Sequence, residues 1–224
     1  MTPPARTGLL RKGLSLLGLG LAVTMLTFAM MVGWHGFRPA SSTLMQMRYV
    51  LGDPVDRRWR DLEFISPYLA RAVIASEDQR FCNHGGVDWG ELHTVLNEDG
   101  GPSRGASTLT MQTVKNLYLW PGRSYLRKML EIPMALIVDL FWPKSRIMEV
   151  YLNIAEWGEG IFGAEAAAQR FFGKSSRDLT VAESARLAAA LPNPRVSDPR
   201  YPNSASRRIA LRMGAIEGLA GCLE

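Results

Sequence analysis

Residues 66–86, SPYLARAVIASEDQRFCNHGG, decide what kind of fold this chain builds. Ser66 is an N-cap, Pro67 suits the first helical position, and apolar residues follow at helical spacing. The helix then runs out in adjacent Glu77 and Asp78, before a loop that holds His84, Gly85 and Gly86. A carboxylate there is either solvated or held at the mouth of a cleft, where its protonation matters.

Outward from this stretch, helix signals come steadily. DWGE at Asp88–Glu91 and TVAE at Thr180–Glu183 both have capping-box spacing. Pro143 opens KSRIMEVYLNIAEW, and Gly158 is placed to close it. AEAAAQRFFG ends on Gly173, and SASRRIALRMGAIEGLAG gives a last helix. Strand-like alternation is scarce, so the expected class is mainly α, without internal repeats and with a short hairpin near residues 45–60. LYLWPGRSYLRKMLEIPMALIVDLFWP is unusually apolar, but Pro121, Gly122 and Pro133 break it too often for a membrane-spanning helix. It reads as buried core or as a segment in contact with a bilayer surface.

With 224 residues, 47% of them apolar, the chain holds one domain with a sizeable core and one extra element. That element is GLSLLGLGLAVTMLTFAMMVGW, Gly13–Trp34, which carries no charge. A helix of this length crosses roughly 30 Å of hydrocarbon. Arg6, Arg11 and Lys12 precede it, so the positive-inside rule places residues 1–12 in the cytoplasm and the remainder outside. A cleaved signal peptide would have a shorter apolar run, and WHGFRPASS is a poor cleavage site, so a retained anchor is expected. Residues 35–60 read as a tether and the start of a small lobe, and residues 61–224 as the main domain. Cys82 and Cys222 lie far apart and are expected as free or buried thiols. His35, His84 and His93 are too scattered for a metal cluster.

The net charge is +5, and residues 100–130 alone hold five basic side chains and no acidic one: Arg104, Lys115, Arg123, Arg127 and Lys128. This is either a basic face against anionic lipid or a phosphate site. Ser107 offers an N-cap for the helix that carries Lys115, and a helix start with Lys and Arg nearby suits a phosphate or pyrophosphate. Nucleic acid, another polyanion, conflicts with an extracytoplasmic domain. Glu131 ends the basic run four residues after Arg127 and should stay ionised there. It is placed to orient the basic groups or to hold a divalent cation.

ASEDQRFCNHGGVD, RGASTLTMQTVKN, GRSYLRKMLE, KSRIMEVYLNIAEWGEGIFGAEAAAQRFFGK and LTVAESARLAAALPNP stand in the order of the motifs of peptidoglycan glycosyltransferases. Over roughly residues 41–196 the chain resembles that family, and within it the monofunctional, membrane-anchored branch of Gram-negative bacteria. The resemblance implies a helical, lysozyme-like domain with a small membrane-proximal lobe. It implies polymerisation of lipid II onto a growing glycan strand, with release of undecaprenyl pyrophosphate in cell-wall synthesis. Glu77 then matches the general base and Glu131 the second catalytic carboxylate. Lys115 and Arg123 match phosphate-contacting positions, and Ser107, Gln112, Asn116 and Arg127 match positions that line the same cleft. Glu131 is also the candidate ligand for Mg or Mn, and no organic cofactor is expected. Asp78 accompanies Glu77 with a structural role in view.

One departure stands out. The family usually has two glutamines in its STxTQQ element, where this chain has Met111 and then Gln112. The expected location is the inner membrane, single-pass, with a cytoplasmic N-terminus and a periplasmic catalytic domain. The expected partners are lipid II, glycan, inner-membrane lipid and other cell-wall or division proteins, with no nucleic acid. Neither S-x-x-K nor K-T-G occurs, so no transpeptidase activity is expected. The competing readings are a lytic transglycosylase or glycan hydrolase, and a non-catalytic cell-wall scaffold.

Overall fold

A computed structural model describes residues 6–98, 106–122, 124–216 and 218–223. It divides into two units, residues 1–38 and 39–224. The first is the helix α1 (Arg6–His35). Its Arg11–His35 segment is long and apolar enough to cross a membrane, by length and composition. Its hydroxyls are satisfied internally: Ser15, Thr24 and Thr27 donate to the carbonyls of Arg11, Gly20 and Val23. Such back-bonding is what polar groups need in a medium without water.

The second unit contains the helices α2 (Thr43–Leu51), α3 (Pro67–Glu77), α4 (Trp89–Leu96), α5 (Leu109–Tyr118), α6 (Tyr125–Phe141) and α7 (Lys144–Ile154). After these come α8 (Ala164–Phe172), α9 (Val181–Ala190) and α10 (Ser204–Ala215). The strands β1 (Asp56–Arg57), β2 (Glu156–Gly158) and β3 (Ile161–Phe162) form a small sheet in the order β1-β3-β2. β1 pairs parallel with β3, which pairs antiparallel with β2. The mainly α class is therefore observed.

α3, α9 and α10 pack together, and α5 packs against both α6 and α7. Leu69, Val73 and Ile74 of α3, Leu109, Met111 and Val114 of α5, and Ile147, Met148 and Leu152 of α7 are all fully buried and belong to the core. Thr180 and Glu183 form the expected reciprocal capping box at the start of α9. Asp88 caps α4 through the Glu91 amide. Gly173 closes α8 in the left-handed conformation.

Several expectations are corrected. Residues 45–60 do not form a hairpin: Ser42 caps α2, Gly52 closes it at φ 77°, and β1 pairs with the distant β3. Pairing is not local because Arg48 of α2 reaches Glu156 of β2 at 3.0 Å and anchors the segment there. α7 ends at Ala155, and Gly158 belongs to a strand. Pro133 sits inside α6 without ending it, so the apolar stretch contains one continuous 17-residue helix. Ser107 is not the cap of α5. Thr108 is, accepting from the Met111 amide.

The cysteines are also not thiols. Cys82 and Cys222 form a disulfide with Cα atoms 5.4 Å apart. The chain beyond α10 returns to the 3₁₀ turn Phe81–Asn83, closing a separation of 140 residues that sequence spacing could not reveal.

Candidate active site

Helical phase places the acid at position 77. Val73 and Ile74, one turn earlier, are fully buried, so the packed face of α3 carries Glu77 to the edge of the core. Glu77 Oε1 accepts from the Ser76 hydroxyl at 3.1 Å, and Oε2 accepts from Gln112 Nε2 at 3.1 Å. Among the described residues it has no cationic partner in an ion pair.

Asp78 turns the other way. Both of its oxygens lie 3.0 Å from His84 Nε2, and Oδ2 accepts from the Leu109 amide at 2.9 Å. Asp78 thus fastens the end of α3 to the His84 loop and to the start of α5. The loop needs glycine: at Gly86, with φ 87°, a Cβ would stand 2.6 Å from the Ala135 carbonyl oxygen. Thr108 donates to the Gly86 carbonyl at 2.6 Å, and Lys144 donates to that of His84 at 2.7 Å.

α5 sorts its residues by face. Met111 and Val114 are fully buried, whereas Gln112, Lys115 and Asn116, at helical i, i+3, i+4 spacing, line a cavity of about 160 Å³ with Tyr151. Met111 therefore occupies the core, and the remaining glutamine is the one that meets Glu77. Tyr151 of α7, 2% exposed, donates its hydroxyl to Gln112 Oε1 at 3.2 Å. Burial, and then the nearby Glu77 charge, push this phenol well above its ordinary range.

Across α5, Glu131 of α6 is 2% exposed. Its Oε1 accepts from Arg127 Nη1, and its Oε2 accepts from Lys128 Nζ at 3.2 Å. Lys128 also donates to Ser107 Oγ. The Lys115 carbonyl accepts from the Leu119 amide, but its ammonium makes no hydrogen bond or ion pair with a described residue. Burial lowers its pKa, the charges of Arg127 and Lys128 lower it further, and those of Glu131 and Glu77 oppose the shift. A lysine so placed between two acids lacks an anion of its own.

A second cavity, of about 400 Å³, runs along Glu77, Ser107, Asp88, Glu91, Arg80 and Arg212. Glu77 lines this cavity and Gln112 the other, so the bond between them stands at their partition. The structure thus brings together Glu77, Gln112, Lys115, Asn116, Ser107, Arg127 and Glu131. Arg123 and Arg104 lie outside the described residues. Both oxygens of Glu131 are taken by cations, and no group of three or more His, Cys, Asp or Glu among the described residues could hold a metal ion. This donor set does not fit a cation held by the protein alone.

Sequence reasoning missed Tyr151 and left Lys128 out of the site. Tyr151 reads as a core aromatic on an amphipathic helix. Its signal was the phenol oxygen, which needs a partner when buried. Lys128 was visible only as part of the basic run.

A half-buried acid outside any ion pair among the described residues, close to a lysine ammonium that also has no ion-pair partner among them, suits transfer chemistry onto or from an anionic group. The sequence profile described as transglycosylase matches residues 43–216, and the chain belongs to that family. A protein of Rhodospirillum centenum is 50% identical over 213 residues, 91% of each chain. One of Brucella suis is 57% identical over 175 residues, 77% of this chain and 78% of that one. One of Rhodopseudomonas palustris is 50% identical over 193 residues, 85% and 81% of the two chains. All three are named biosynthetic peptidoglycan transglycosylase.

Proposed function

We propose that this chain polymerises lipid II into peptidoglycan glycan strands by inverting glycosyl transfer. The observation that carries the reading is that Glu77, free of ion pairs among the described residues, lies within electrostatic reach of Lys115, whose ammonium has no ion-pair partner among them. The acceptor is lipid II and the donor is the growing strand on its lipid diphosphate. The acceptor 4-hydroxyl attacks the donor's anomeric carbon, its proton passes to Glu77, and the carbon–oxygen bond to diphosphate breaks with the electron pair on the leaving oxygen. Diphosphate is a good leaving group, so the site supplies charge stabilisation where a glycosidase supplies a second acid. Lys115 and Lys128 provide that charge, joined by Arg127 and by Arg123 from the matching motif. Glu131 keeps the cations of α6 in place.

In this reading α1 is a single-pass inner-membrane anchor with its N-terminus in the cytoplasm and the domain in the periplasm. The basic residues before α1 support that orientation, and the Cys82–Cys222 disulfide suits an oxidising compartment. Tyr125, Leu126, Met129, Leu140 and Phe141 of α6 are exposed, which suits contact with lipid.

Purified protein incubated with labelled lipid II should yield glycan polymer and release one lipid diphosphate per disaccharide added. Degradation of preformed glycan without consumption of lipid II would overturn the reading in favour of a lytic enzyme.

A further inference from the structure

We propose that Tyr151, acting through Gln112, is a positioning residue that holds the Glu77 carboxylate in place. The inference rests on the reading of Glu77 as general base. A glutamine amide has a donor end and an acceptor end of nearly equal shape, and only the donor end suits a carboxylate. Here Nε2 faces Glu77 at 3.1 Å and Oε1 faces the Tyr151 hydroxyl at 3.2 Å. Both ends of the amide are therefore engaged inside the protein, which makes Gln112 a support for the acid as well as a lining of the cleft.

The chain of bonds has a direction. Tyr151 donates to Gln112, and Gln112 donates to Glu77, so each proton points toward the negative charge. A charge-assisted chain of this kind is stronger than its neutral counterpart, and each bond polarises the next. Removing the phenol hydroxyl leaves Oε1 without its donor and weakens the bond at Nε2. The ionised carboxylate loses more by this than the protonated acid. Tyr151 keeps its proton throughout, because burial and the Glu77 charge both oppose its ionisation. Tyr151 is itself 2% exposed, so its ring is packed in the protein interior.

Other charges also face Glu77. Lys115 of α5 interacts with it, and Arg80, Asp88, Glu91 and Arg212 line the cavity on its other side. Asp78 is turned toward His84. None of these residues is itself replaced in the variants of Tyr151 and Gln112.

The test is the pH dependence of kcat/KM for lipid II polymerisation in the full chain, with Tyr151→Phe, Gln112→Leu and the double variant. Tyr151→Phe should move the acid limb to higher pH by about half a unit, about a threefold loss of kcat/KM on that limb. Gln112→Leu should move it at least as far, and the double variant no further than Gln112→Leu alone. An unmoved limb in Tyr151→Phe with wild-type thermal stability, or additive shifts in the double variant, overturns the proposal. If Tyr151→Phe does not fold, Gln112→Leu decides alone, and an unmoved limb there overturns it. Glu77→Gln separates this from the underlying reading. Retained turnover there removes the base itself, whereas lost turnover with an unmoved Tyr151→Phe limb removes only the relay.

Discussion

The end of α3 and the first turns of α6 each present one acid to the same helix, α5, and treat it in opposite ways. Glu77 accepts from a hydroxyl and an amide, and among the described residues it meets no cation in an ion pair. Glu131 is almost fully buried and engages Arg127 and Lys128, one at each oxygen. Neutral donors hold a carboxylate in place while leaving it able to take a proton. Paired cations hold it as a fixed charge. In the proposed mechanism the first acid takes the proton, and the second organises the positive side of the cleft.

The sharpest break in this contrast is Glu131→Gln. It leaves Arg127 and Lys128 without their counter-charge and should cost about 1.5–3 kcal/mol of stability, from lost hydrogen bonds to a charged group. Activity should fall as well, because the two cations lose their common anchor. Denaturant melts beside initial rates check both effects, and wild-type stability would show that Glu131 is not the organiser. If it were instead a base like Glu77, the variant would lose turnover with no loss of stability.

The Cys82–Cys222 bridge joins the turn after Glu77 to the C-terminal segment. Cys82→Ser or Cys222→Ser should lower stability by about 2–4 kcal/mol, seen as a lower Tm without reductant and no further drop when reductant is added. An unchanged Tm in the variants would show that the closed loop contributes nothing.

A smaller effect concerns Glu165, a third acid remote from both. Burial would raise its pKa, but hydrogen bonds from the Ser176 amide and hydroxyl, Gln169 and Arg60 outweigh that and hold it at about 2. A depressed folded pKa gives stability that is present above the ordinary carboxylate range and is lost as pH falls toward about 2. Glu165→Gln should therefore flatten the decline of Tm below about pH 4.5 while leaving the pH–rate profile unchanged. An equal acid decline in both proteins would contradict this.

Much of the fold was legible because caps and helical phase are local. Thr180 with Glu183, Asp88 with the Glu91 amide, and Gly173 all act where the sequence suggests. The failures required long-range partners. β1 pairs with β3, more than 100 residues away, where Arg48 also reaches Glu156, and Cys82 meets Cys222 only after the chain turns back beyond α10. The same division runs through the site. Gln112, Lys115 and Asn116, which share one helix face, were named through the resemblance of RGASTLTMQTVKN to a family motif. Tyr151 comes from another helix, and its partner is set by packing, which no periodicity records. The family's missing glutamine was visible as Met111, but only its burial shows that the position belongs to the core.

The central claim is that Glu77 takes the acceptor's proton at a site whose cations bind the diphosphate independently of it. The direct measurement is lipid II binding and single-turnover polymerisation by Glu77→Gln. Binding should remain within about twofold of wild type, while turnover should fall by about a hundredfold or more. Polymerisation at the wild-type rate would contradict the account.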